Sequence, residues 1–77
     1  MIESERYLIL IEGGPPSNYG AWSPDVPGCV ATGPTIDACI SEMRGALSGH
    51  FEVMREHGEA IPEPSGPGVY IARTAVA

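Results

Sequence analysis

The spacing of hydrophobic positions changes character along the chain. Tyr7 to Glu12 reads YLILIE, an apolar run with an aromatic and two isoleucines, and GGPPSN follows it with residues that continue neither strand nor helix. This pattern predicts a strand entering a hairpin loop. Tyr19 to Ser23 (YGAWS) and Cys29 to Thr32 (CVAT) predict two more short strands. From Ile36 onward the period lengthens. Ile36, Ile40, Met43, Leu47, Phe51 and Met54 recur at intervals of three and four, one apolar stripe on a helix of about six turns.

The ends of that helix are marked as well. Thr35 offers an N-cap hydroxyl and Asp37 places negative charge in the first turn, where the helix dipole favours it. Ala38 stands where a capping box would have Glu or Gln, so the box is incomplete. His57-Gly58 supplies a stop, EAIPEPSGPG is a proline- and glycine-rich loop, and Val69 to Val76 (VYIARTAV) predicts the last strand. The order is β-β-β-α-β, an α+β domain of two layers with one helix laid on a sheet.

Two faces are left without an occupant by this arrangement. The first strand is apolar on both sides, Tyr7/Ile9/Ile11 and Leu8/Leu10, yet a single helix covers one side only. Leu8 and Leu10 are therefore candidates for self-association. On the back of the helix, Ser41, Gly45, Ser48 and Glu52 fall opposite the apolar stripe. Each of Gly45 and Gly49 costs roughly 1 kcal/mol relative to Ala; either small residues admit another backbone there, or they reflect a glycine-rich composition.

The segment Ser23 to Gly33, SPDVPGCVATG, invites a search for chemistry. Its residues are met by a mechanical account. Pro24 suits the second position of one turn, with Asp25 accepting local backbone hydrogen bonds, and Pro27-Gly28 suit the centre of a type II turn. Pro24, Asp25, Pro27 and Gly28 are thus read as a structural bend, and Cys29 as a small residue packed at the start of a strand.

Composition narrows the function classes. A 77-residue chain is one domain, expected to span 1–77, and buries only roughly 60% of its unfolded surface. Such a domain gains from a partner subunit, and a dimer is expected. Cys29 and Cys39 are the only cysteines, a single possible pair rather than a disulfide framework, and are read as reduced. The acidic N-terminus lacks the features of a signal peptide and no run is long enough to cross a bilayer; a soluble cytoplasmic protein with no membrane partner is expected. Ten acidic against four basic residues give a net charge of -6, which repels phosphate backbones and suits a basic partner.

Nothing in the spacing supports catalysis. Cys29 with His50 or His57 is the one nucleophilic pair to consider, and the two histidines lie about two turns apart on one helix, too far to share a metal ion without other ligands. GGPPSN and SGPG match neither phosphate-binding glycine pattern. No catalytic residue, metal or cofactor is expected.

Taken in order, Trp22-Ser23-Pro24-Asp25-Val26-Pro27-Gly28-Cys29, Ala31-Thr32-Gly33-Pro34-Thr35, an amphipathic helix ending in glycine, and Ile61-Pro62-Glu63-Pro64 resemble the HicB-like antitoxin family, from about Tyr7 to Val76. The resemblance implies a partial ribonuclease H-like fold with sheet order 3-2-1-4 and the last strand parallel to the first. It implies no ribonuclease H activity, since the family lacks the metal-binding carboxylates. It also implies a partner: a small basic HicA-type toxin, an mRNA interferase, which the antitoxin binds and neutralises. The alternative is an orphan homo-oligomeric relative without a toxin. Pro34 replaces the usual Asp or Ser, and Ala38-Cys39 the usual glutamate-alanine pair, which weakens the helix cap. Many relatives carry a C-terminal DNA-binding module; none is expected here, so this chain alone is not expected to bind nucleic acid. Trp22, Pro24, Asp25, Ser41, Gly45 and Ser48 are the expected toxin contacts.

Overall fold

The computed structural model describes residues 3–71. Strands β1 (Leu8–Gly13), β2 (Tyr19–Trp22) and β3 (Val30–Gly33) precede helix α1 (Ile36–Glu56), and β4 (Gly68–Ile71) closes the order. The sheet runs β3-β2-β1-β4. β1 pairs antiparallel with β2, β2 antiparallel with β3, and β1 parallel with β4. This is the expected architecture. Strand limits shift by one residue: β1 starts at Leu8, β2 stops at Trp22, and β3 runs from Val30 to Gly33. Cys29 therefore closes the turn before β3 instead of opening the strand. The expected last strand begins one residue early, and its portion after 71 lies outside the described residues. A 3₁₀ turn, Glu3–Arg6, was not anticipated from the sequence.

The helix forms where its caps say it should. Thr35 is extended and its hydroxyl accepts from the Ala38 N–H at 3.0 Å, so Pro34 and the missing Glu leave the N-cap intact. At the other end the Gly58 N–H donates to Arg55 O at 3.1 Å and Glu59 N–H to Met54 O at 2.8 Å. Gly58 adopts φ +71, so the pair of bonds makes a Schellman cap built on a left-handed glycine.

Cys39, Met43, Leu47 and Phe51 point into the sheet and are fully buried against Tyr7, Ile9, Ile11 and Ala21. Each large apolar side chain so buried contributes about 1.5–3 kcal/mol. Cys39, absent from the apolar stripe read in the sequence, is fully buried on the covered face in the first turn of the helix. Ile36, Ile40 and Met54 sit at the stripe's margins, half-buried.

At Gly33 the two layers meet backbone to backbone. A Cβ there would lie 2.6 Å from the Cys39 backbone nitrogen and 2.8 Å from its Cα. The end of β3 thus touches the first turn of α1 backbone to backbone, with no side chain between. Gly49, by contrast, faces open space. Gly33→Ala is expected to destabilise the domain by about 1–3 kcal/mol, and Gly49→Ala to stabilise it by about 0.5–1 kcal/mol. Denaturant unfolding of the two variants beside the parent checks both signs.

Candidate functional site

The Ser23–Cys29 segment is a double turn. Val26 N–H donates to Ser23 O at 3.3 Å and Cys29 N–H to Val26 O at 3.3 Å, so Pro24 and Pro27 each take the second position of a turn. Gly28 has φ +86, the value a type II turn demands at its third position. Val26 lies between the two prolines with its side chain fully buried, and pins the double turn to the core.

Asp25 differs from expectation. Its carboxylate accepts no local backbone bond; it reaches across to the loop after the helix, accepting the Ser65 N–H at 2.9 Å and the Ser65 hydroxyl at 2.5 Å. The Asp25 backbone N–H instead has the Ser23 hydroxyl as its local acceptor, at 3.4 Å. The two Ser65 bonds stabilise the carboxylate and hold its pKa below the usual aspartate value. A second tie holds the same loop: the Tyr7 hydroxyl donates to Pro62 O, and the Tyr7 ring packs on Phe51 at 4.8 Å between centroids. Ser65 had no sequence signal beyond lying in a proline-rich loop.

The nucleophile candidates are packed. Cys29 and Cys39 are free thiols, both buried, and burial raises both pKa values above that of an ordinary cysteine. Since the thiolate is the reactive form, this lowers their reactivity. His57 is the exposed C-cap of α1, and His50 lies half-buried beside Phe51. Among the described residues no three His, Cys, Asp or Glu side chains come together as a metal site. An open cleft of about 440 Å³ lies between Glu5, Arg6, Pro64, Gly66 and Pro67, with one acid and one base and no nucleophile.

What the structure does assemble is two surfaces on opposite sides. Register places Val30, Trp22, Leu10 and Tyr70 in one row across all four strands, and the buried Ile11 and Ala21 beside them point the other way, into the helix layer. The row is therefore on the face that α1 does not cover. Trp22 is 41% exposed, Tyr70 64% and Val30 67%, with Leu8 and Leu10 half-buried among them. Trp22 and the self-association candidates Leu8 and Leu10 thus share one surface. Val30 and Tyr70 carry no individual sequence signal; only strand register brings them into line with Leu10.

The second surface is the outer face of α1. Ser41, Gly45 and Ser48 are exposed there, and a Cβ at Gly45 would meet open space. Asp37, Glu42, Glu52 and Glu56 are exposed on the same helix. Its two arginines turn aside: Arg55 pairs with Glu3, and Arg44 donates to Ser4 O at 3.4 Å. Pro24 and Asp25, in the double turn, belong to neither surface's central row.

Comparison with known proteins places this geometry. The profile of a family described as "HicB_like antitoxin of bacterial toxin-antitoxin system" matches residues 7–75. Among solved structures, the crystal structure of the Burkholderia pseudomallei antitoxin HicB is similar at 40% identity with a TM-score of 0.63, over 69% of this chain and 40% of that one. The crystal structure of the N-terminal domain of the same antitoxin is similar at 42% identity with a TM-score of 0.58, over 61% of this chain and 59% of that one. The chain thus matches about two-fifths of the full antitoxin's length in the first case. The search of curated proteins gave no match.

Two outcomes follow from the buried and tied groups. Asp25 has a lowered folded pKa, so its contribution to stability is complete above the unfolded carboxylate value of about 3.9 and is lost as pH falls through the folded value. Asp25→Asn should lower stability at pH 7 and flatten the loss of stability below about pH 4, as read by thermal melts across a pH series. The two thiols should react with an aromatic disulfide reagent only on unfolding; a native thiol reacting at the rate of free cysteine would show an accessible nucleophile.

Proposed function

The chain belongs to the HicB-like antitoxin family of bacterial toxin–antitoxin systems, and from that membership we propose that it is a non-catalytic partner that binds and neutralises a small basic HicA-type mRNA interferase. The observation that carries this reading is the acidic outer face of α1. Four exposed carboxylates flank a low, small-residue surface at Ser41, Gly45 and Ser48, while both helix arginines are engaged elsewhere. Such a face steers a basic protein into contact and lets it approach the helix backbone closely. A toxin seated there would have its RNA-binding charge neutralised and its cleaving surface shielded.

The role needs no reactive group on this chain. Burial of both thiols fits inhibition by occupation of a surface. Trp22, an expected toxin anchor, stands on the opposite layer from this helix face, so the proposed contact rests on Ser41, Gly45 and Ser48 with Glu52 and Glu56.

Co-expression with a small basic HicA-type protein, taken from the adjacent reading frame where one encodes it, followed by co-purification and an RNA-cleavage assay, tests the proposal. The pair should co-purify and cleavage should stop at stoichiometric antitoxin. Glu52→Lys with Glu56→Lys should weaken binding by about tenfold or more, chiefly through slower association that is most evident at low salt. The substitutions put positive charge near the helix C-terminus, where the dipole tolerates it, so the fold should be retained. Unimpeded cleavage in the presence of excess folded parent chain would remove the reading.

A further inference from the structure

Residues 58–71 differ from the other elements of the fold in what they bury. The first three strands, the double turn and the helix each contribute at least one fully buried residue, among them Ile9, Ala21, Gly33, Val26 and Phe51. Between Gly58 and Ile71 none is fully buried: Tyr70 is 64% exposed, Ile71 44%, and Val69 rests half-buried on the margin of the core. The placement of the helix is the reason. α1 packs on β3, β2, β1 and the 3₁₀ turn, and β4, at the edge of the sheet on the far side of β1 from β2, lies beyond its cover.

Few attachments hold this stretch. β4 pairs with β1 alone, in parallel, from Leu8 opposite Gly68 to Ile11 opposite Ile71. Among the described residues, two groups fasten the loop before it beyond the helix cap: the Tyr7 hydroxyl donates to Pro62 O, and the Asp25 carboxylate accepts the N–H and the hydroxyl of Ser65. Both anchors are fixed in the core, Tyr7 by its burial against Phe51 and Asp25 by the fully buried Val26 next to it. The bonds to Asp25 are charge-assisted and so stronger than neutral ones. Segments with little buried apolar surface, held by exposed hydrogen bonds, open at a lower free energy than global unfolding.

We propose that residues 58–71 are a strap that opens as one unit while the rest of the domain stays folded, with Asp25 as its latch. Gly58, left-handed at φ +71 and with open space where a Cβ would lie, is the hinge at the helix end. Opening leaves the packing of Met43, Leu47 and Phe51 on Ile9 and Ile11 in place, because no fully buried side chain travels with the strap. The sheet itself changes. β1 passes from a central strand to an edge, and the backbone groups of residues 8–11 that pair with β4 become free, an edge open to pairing with another chain. The latch thus sets how often that edge is presented. This device is independent of the toxin reading, which rests on the outer face of α1.

Native-state hydrogen exchange read by mass spectrometry, on the parent chain and its variants, tests the strap. In the parent, the β4 amides should exchange about tenfold or more faster than the slowest amides of α1, yet slower than in an unstructured peptide. Gly49→Ala stabilises the helix in the closed and the open-strap forms alike, so it should slow the α1 amides about twofold to fivefold and leave β4 unchanged. Asp25→Ala weakens the closed form alone and should speed β4 exchange about fivefold or more. Should that variant fail to fold, Ser65→Ala, which removes one of the two bonds, should speed it at least about twofold. β4 amides that slow with Gly49→Ala in step with α1, that ignore Asp25→Ala and Ser65→Ala, or that exchange at peptide rates in the parent would overturn the inference.

Discussion

One helix of 21 residues seated on four strands buries one side of the sheet and leaves the other bare, and the central strand β1 is apolar on both. Ile9 and Ile11 sit under Met43, Leu47 and Phe51 with no exposure; Leu8 and Leu10 look the other way. Alternation in a strand forbids a compromise, since sliding the register by one residue would only exchange the two sets. The domain can satisfy one face from its own sequence. The remaining face can be completed only from outside the described fold, and its row of Val30, Trp22, Leu10 and Tyr70 is a consequence of that shortage of layers.

The same constraint explains how the connections are built. With a single helix, the covered face must be sealed at its ends by loops, and the structure does this with few contacts of long reach. Gly33 lets β3 run into α1 with the two backbones touching. Tyr7 ties the start of β1 to Pro62, and Asp25 ties the double turn to Ser65, so the proline-rich loop is fastened on two sides before the chain returns as β4. Val26 and Cys29, buried between these ties, have a packing role that their neighbours' turn chemistry makes necessary.

Periodicity made the framework legible. The change from short alternating runs to the 3–4 spacing between Ile36 and Met54 marks the single helix, and Thr35 and Gly58 fix its ends closely because each does a job with a local chemical signature. Registers and long-range ties are different. Nothing about Asp25 names Ser65 as its partner, because the two meet only once β1, β4 and the helix are placed; local turn chemistry suggested a backbone partner and the tertiary fold supplied another. The role of Gly33 is hidden for the same reason, since it is set by Cys39 from the following helix. The candidate surfaces were legible in part. Leu8 and Leu10 reveal an uncovered face by alternation alone, whereas Trp22, Val30 and Tyr70 join them only through pairing across four strands.

Distributing charge between the layers removes a conflict that a uniformly acidic domain would face. A chain at -6 that used one surface both to attract a basic protein and to bury apolar side chains would have to desolvate the charges that do the attracting. Here the exposed carboxylates of α1 and the apolar row lie on opposite layers, so the charge of one leaves the other unaltered. The two-layer fold is what makes this separation available: the face it cannot cover and the face it leaves acidic are opposite by construction.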